Sequence, residues 1–239
     1  MENFELNSFA TADELARAVA GAWLAEIAVA HQRGTPQSVA LSGGRIAKGF
    51  FVMVAEQARA KKISLAGVQF FWADERCVPP TDAESNFAIA DQLLFQPLAI
   101  RADKIHRIRG ELAPDKAAEL AATEVREFVP VNPAQHPVLE LVFLGMGEDG
   151  HVASLFPGEP VAAKTNPAIY RPVTATKPPP HRITLGYDML ANAKQVWVLA
   201  SGAGKEAALR ESLSPTGQTP LARVLQSRRQ TKILSDIRL

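Results

Sequence analysis

The sequence predicts an α/β protein: a three-layer α/β/α fold around a mostly parallel, Rossmann-like sheet, built as a single domain from residues 1–239. Three observations predict it. Short apolar runs at residues 38–42, 67–73, 139–144 and 195–200 alternate with longer segments of helical periodicity, the pattern of parallel strands joined by crossover helices. Several of these runs stop abruptly in glycine or clustered charge, as strands do where an α/β sheet meets a ligand. Finally, 239 residues at 47% hydrophobic and 21% charged are enough to bury one large core.

Taken in order, Thr11 reads as an N-cap with Glu14 completing a capping box. Leu15, Val19, Trp23 and Ile27 then recur at helical spacing, and Gly34 follows His31 as a stop. Residues 38–42 form a buried strand ending in Gly43 and Gly44, and residues 46–58 the helix that follows. The next strand, 67–73, runs into Asp74, Glu75 and Arg76. Helices are expected over 86–95 and 115–128, the second opened by Pro114 and Asp115. Seven of the seventeen prolines fall between Pro157 and Pro180, which excludes a continuous helix or a central strand and predicts a long ordered loop over the sheet. Strands at 182–185, 195–200 and 232–235, with helices at 187–193, 205–213 and 220–226, close the chain.

Composition narrows the function. A net charge of +1 gives no reason to expect a nucleic-acid or membrane partner. Cys77 stands alone, so no internal disulfide forms, which suits a reducing cytosol. The first five residues lack the basic-then-apolar order of a secretory signal, and no apolar run approaches the ~18 residues of a membrane span. A cytoplasmic protein is expected.

The most informative stretch is residues 144–158, where Gly145, Gly147 and Gly150, with Glu148, Asp149 and His151, follow directly on an apolar strand. One imidazole is thereby delivered to the strand's C-terminal edge. Gly145, Gly147 and Gly150 formally match the dinucleotide pattern G-x-G-x-x-G. However, no Asp or Glu occurs from Pro160 to Tyr187 to hold a ribose, and Pro157 cuts short any following helix. A zinc motif of the H-E-x-x-H type and a G-x-S-x-G serine elbow are both absent. Neither a metal nor another cofactor is expected, and His151 acting on water is left as the hydrolytic group. Asp149 either orients His151 or caps the turn. Asn86 reads as a helix cap.

Four strand ends carry polar chemistry: Ser42 to Arg45, Asp74 to Arg76, Gly145 to His151, and Gly202 to Lys205. Brought to one sheet edge, they would surround a small anion. Ser42, Gly43 and Gly44 offer backbone N–H groups and a positive helix end. Arg45 and Arg76 add guanidinium bonds, and Lys205 a point charge. The charges at 74–76 follow a strongly buried strand, which argues against a merely solvated cluster.

These residues together resemble the 6-phosphogluconolactonase family. The resemblance rests on Leu41-Ser-Gly-Gly44, Trp72-Ala-Asp-Glu-Arg-Cys-Val-Pro79 with Ser85-Asn86, and residues 144–158. It continues through Lys177-Pro-Pro-Pro180 with Arg182-Ile-Thr-Leu185, and residues 202–209. It implies a fold shared with glucosamine-6-phosphate deaminases and ribose-5-phosphate isomerases. It also implies hydrolysis of 6-phospho-D-glucono-1,5-lactone to 6-phosphogluconate in the oxidative pentose phosphate pathway, by a monomer or weak homodimer. His151 would be the general base, with Asp149 beside it and a glycine N–H of the 145–150 turn as oxyanion donor. The phosphate would sit on Gly43, Gly44 and Arg45, near Arg76 and Lys205. Ser42, Asp74 and Gly147 complete the candidate substrate contacts, with Lys177 and Arg182 in second rank.

One departure stands out: members often read Thr-Pro after the first turn's arginine or serine, where this chain has Ile46-Ala47. The rival deaminases share Asp149-Gly-His151 but continue Ile-Ala-Phe-Asn-Glu-Pro, where this chain has Val-Ala-Ser-Leu-Phe-Pro157 and no carboxylate. A non-catalytic sugar-phosphate sensor would need the phosphate cradle but not His151.

Overall fold

Six parallel strands in the order β1-β9-β8-β5-β2-β3 organise the computed structural model, which describes residues 3–239. Met1 and Glu2, part of the acidic N-terminus, lie outside the described residues. The strands are β1 (Phe4–Ser8), β2 (Gln37–Leu41), β3 (Val68–Trp72), β5 (Leu141–Gly145), β8 (Gln195–Ala200) and β9 (Thr231–Ser235). Every pairing among them is parallel. Strand β2 pairs with β3 on one side and β5 on the other, so the chain reverses its direction of travel across the sheet at this pair. That reversal opens a crevice beyond the strand ends, where open α/β sheets bind ligands.

The helices are α1 (Ala12–Gln32), α2 (Arg45–Lys61), α3 (Asn86–Ala90), α4 (Pro114–Phe128), α5 (Val161–Lys164), α6 (Tyr187–Asn192), α7 (Glu206–Leu213) and α8 (Pro220–Gln226). Thr11 caps α1 by accepting from Glu14 N at 3.2 Å, while the Glu14 carboxylate reaches back to Ala10 N. Trp23 of α1 meets Phe50 of α2, Phe70 of β3 and Phe143 of β5, with ring centroids 5.2–6.4 Å apart. This aromatic cluster seals one face of the sheet. Side chains alternate along a strand, so Phe71 points to the opposite face. There it stacks on His106, which is bonded to Glu124 of α4 at 2.6 Å and packs against Phe128. The three layers are thus in place.

The proline-rich passage differs from the expected continuous loop. It contains α5 and a strand, β6 (Tyr170–Thr174), antiparallel to β7 (His181–Leu185). With β4 (Asp74–Arg76) they form a second sheet, β4-β7-β6, and the strand expected at 182–185 belongs to it rather than to the parallel sheet. Pro172 is accommodated because β6 is an edge strand. Two further differences are small: β1 forms where no strand was expected, and the helix predicted over 86–95 passes from α3 into a π-helical turn, Asp91–Phe95.

Candidate active site

The turns after β2 and β5 open into one cavity. Ser42 donates its hydroxyl to Phe143 O at 2.8 Å, so this side chain ties the two strand ends together. Gly43 and Gly44 line the cavity, and Arg45 begins α2, whose first turn carries no side-chain cap. Free N–H groups and the positive helix end therefore face the space an anion would fill. Gly43 tolerates no side chain, since a Cβ there would lie 1.8 Å from Asn86 Oδ1. Lys205 lines the same cavity, and burial together with the charge of Arg45 lowers its pKa against the opposing pull of Glu148 and Asp236. Cations crowded and partly desolvated in this way favour an anionic ligand.

The second wall is β4. Glu75 is buried, and its carboxylate accepts from the backbone N–H groups of Arg76, Asn86 and Phe87 and from Ser85 Oγ. Burial pushes its pKa up to about 7 against those hydrogen bonds, with the neighbouring Asp74 adding to the rise. Its two cavity-lining dependents, Arg76 and Asn86, are thereby held from one point. Arg76 donates Nη1 to Glu84 O at 2.6 Å and stands across the β4–β7 ladder from Arg182. Asp74, itself buried, accepts from Ser154 Oγ at 2.7 Å.

His151 completes the cavity. Its Nδ1 lies 2.5 Å from Asp149 Oδ1, which also accepts the His151 backbone N–H. Burial raises the Asp149 pKa, but the hydrogen bond and charge of His151 outweigh it, so the carboxyl titrates below its ordinary value. An ionised Asp149 accepts a hydrogen bond from Nδ1–H, the tautomer that leaves the Nε2 lone pair free. Gly147 lies under the imidazole, for a Cβ there would come within 2.1 Å of the ring. The Phe156 ring packs 5.0 Å from His151 on its other flank and 5.6 Å from the Arg182 guanidinium.

The cavity thus gathers Ser42, Gly43, Gly44, Arg45, Asp74, Arg76, His151, Arg182 and Lys205. Asp149 stands behind His151. Gly147 does not line the cavity: its N–H donates to His151 O at 2.9 Å, and Gly150 N–H donates to Gly147 O. Those two N–H groups close the turn on itself and are not available as oxyanion donors. Lys177 is exposed outside the cavity, and only its carbonyl reaches Arg182. Asn86, Met146 and Ser201 line the cavity without having been singled out for it, and Ser154 acts from behind Asp74. For Asn86, Ser201 and Ser154 the signal was weak because their partners, at residues 74–75, 236 and 74, are distant in sequence. Among the described residues, no group of three or more His, Cys, Asp or Glu side chains is arranged to hold a metal ion.

The family model described as glucosamine-6-phosphate isomerases/6-phosphogluconolactonase matches residues 10–233. A 6-phosphogluconolactonase of Treponema pallidum is 36% identical over 186 residues, covering 77% of this chain and 75% of that protein. One of Streptomyces coelicolor is 32% identical, covering 85% and 80%. The solved 6-phosphogluconolactonase of Trypanosoma brucei superposes with a TM-score of 0.86 at 26% identity, over 98% of this chain and 97% of that one. With the family model spanning nearly its whole length, the chain belongs to the glucosamine-6-phosphate isomerase/6-phosphogluconolactonase family.

Proposed function

We propose that this protein hydrolyses 6-phospho-D-glucono-1,5-lactone to 6-phosphogluconate, the lactone-opening step of the oxidative pentose phosphate pathway. The observation that carries the reading is that His151 and the cationic turn at Gly43–Arg45 share one cavity. The phosphate rests on the Gly43 and Gly44 N–H groups and the α2 N-terminus, between Arg45 and Lys205. The lactone carbonyl then lies toward His151. Nε2 removes a proton from water as the water oxygen attacks the carbonyl carbon. Arg182, which shares Phe156 with His151, stabilises the charge that develops on the carbonyl oxygen. As the tetrahedral intermediate collapses, the protonated imidazole returns its proton to the departing ring oxygen. Such a base contributes on the order of 10²–10⁴-fold.

The deaminase alternative is disfavoured by Phe156, which packs on His151 at the place where that pattern has a glutamate. Residues from Ser42 to Lys205 of one chain complete the cavity, which supports a single-domain, monomeric enzyme. Among the described residues no helix is long and apolar enough to cross a membrane, in keeping with a cytoplasmic site of action. A coupled assay decides the function: turnover of the lactone and none of glucosamine 6-phosphate is expected. The reverse preference would overturn the reading.

A further inference from the structure

A carboxylate is out of place beside a phosphate, yet Asp74 is buried in the wall of this cationic cavity and is its only lining carboxylate among the described residues. Its surroundings say what it is for. On one side Oδ2 accepts from Ser154 Oγ at 2.7 Å, and Ser154 lies wholly buried three residues beyond His151. On the other, Asn86 donates Nδ2 to the Asp74 carbonyl at 2.9 Å and lies 3.5 Å from Oδ1, while its own Oδ1 presses on Gly43. Asp74 is therefore tied through Asn86 to the Gly43 turn and held by Ser154 on its other side, in the same cavity wall as His151. A carboxylate repels both a phosphate and a carbonyl oxygen, so the groups of a sugar-phosphate lactone that it can accept from are the hydroxyls.

We infer that Asp74 is the hydroxyl-reading residue of this site, accepting from the sugar's central hydroxyls, with Ser154 as the positioning residue that fixes its carboxylate. The inference deepens the lactonase reading and rests on it. Ser154 fills one lone pair of Oδ2 and Asn86 Nδ2 lies only at 3.5 Å from Oδ1, so this cavity-lining carboxylate keeps acceptor capacity for a ligand hydroxyl. A ligand lacking the matching hydroxyl leaves a buried carboxylate short of a donor, which is strongly disfavoured.

The test compares kcat/KM for the parent 6-phosphogluconolactone with its 2-deoxy, 3-deoxy and 4-deoxy analogues in wild type, Asp74→Ala and Ser154→Ala. The wild-type enzyme is expected to disfavour at least one analogue by ~10²-fold. Asp74→Ala should lose most of the parent's kcat/KM and shrink that discrimination to about threefold or less. Ser154→Ala should raise KM by roughly tenfold with kcat little changed, and weaken the same discrimination. Undiminished discrimination in Asp74→Ala would overturn the inference, and undiminished discrimination in Ser154→Ala would remove Ser154 from it. Should Asp74→Ala not fold, Asp74→Asn is read by calorimetric binding of 6-phosphogluconate and its deoxy analogues, with inorganic phosphate as reference. Equal discrimination by Asp74→Asn and wild type in that titration counts against the assignment. Failure of the lactonase reading looks different: wild type would turn over none of the lactones.

Discussion

Arg76 of β4 and Arg182 of β7 are register partners across an antiparallel ladder, so two guanidinium groups stand side by side in one cavity wall. Burial lowers the Arg182 pKa, and the neighbouring Arg76 charge lowers it further, with Asp74 and Glu84 pulling the other way. An anionic ligand relieves that repulsion. Saturating 6-phosphogluconate at about 100 times its Kd is expected to stabilise the fold by ~2.7 kcal/mol. At roughly 2–4 °C per kcal/mol, a Tm rise of several degrees follows for a chain of this size. Thermal scans with and without ligand check it, and Arg182→Met should reduce the rise.

Replacing His151 by Ala removes the proposed base but none of the cationic residues that line the cavity. Its kcat should fall by ~10²–10⁴-fold while the Kd for 6-phosphogluconate stays within about threefold. Stopped assays combined with calorimetric titration separate the two quantities. A parallel loss of both would take His151 out of the chemistry.

Gly147 offers a subtler probe. A methyl group at this position meets the imidazole, so Gly147→Ala should displace the base without touching the substrate. A displacement near 1 Å costs ~10²-fold in rate. The expected result is a low kcat with KM preserved. Full activity in this variant would show that the ring does not need its present seat.

Glu75 makes a prediction about stability and pH. Its folded pKa is raised to about 7, above its ordinary value of 4.5. Between those values the folded state holds a proton that the unfolded state has lost, so this group's contribution is greatest below about pH 4.5 and disappears as pH rises through about 7. The span is worth ~3 kcal/mol. Urea unfolding of wild type and Glu75→Gln across pH 5–8 should show a downward slope in wild type that the variant lacks. Identical pH dependence in the two proteins would contradict it.

Much of this molecule could be read from its residues because local signals and tertiary packing agree. The Leu15–Ile27 periodicity, the Thr11 cap and the glycine stops after β2 and β5 each act within a few residues, and each recurs in the structure. What escaped reading depends on distant partners. Strand β6 was hidden because prolines suppress strand signals, and only its place at a sheet edge makes Pro172 acceptable. Asn86 resembles a helix cap until Gly43 arrives beside it from another strand, and the actual cap is Ser85, which accepts from Ala88 N. Lys177 and Arg182 stand together in second rank on the family resemblance and the proline-rich loop; Arg182 lines the cavity, while Lys177 lies exposed outside it.

The pressing of Asn86 Oδ1 into the hollow at Gly43 has an evolutionary corollary. Neither position can drift by itself: a bulkier residue at 43 demands a smaller one at 86, and shrinking 86 first would leave the phosphate turn unsupported. Sequence change at this corner must therefore proceed through paired steps, with a poorly active intermediate in between.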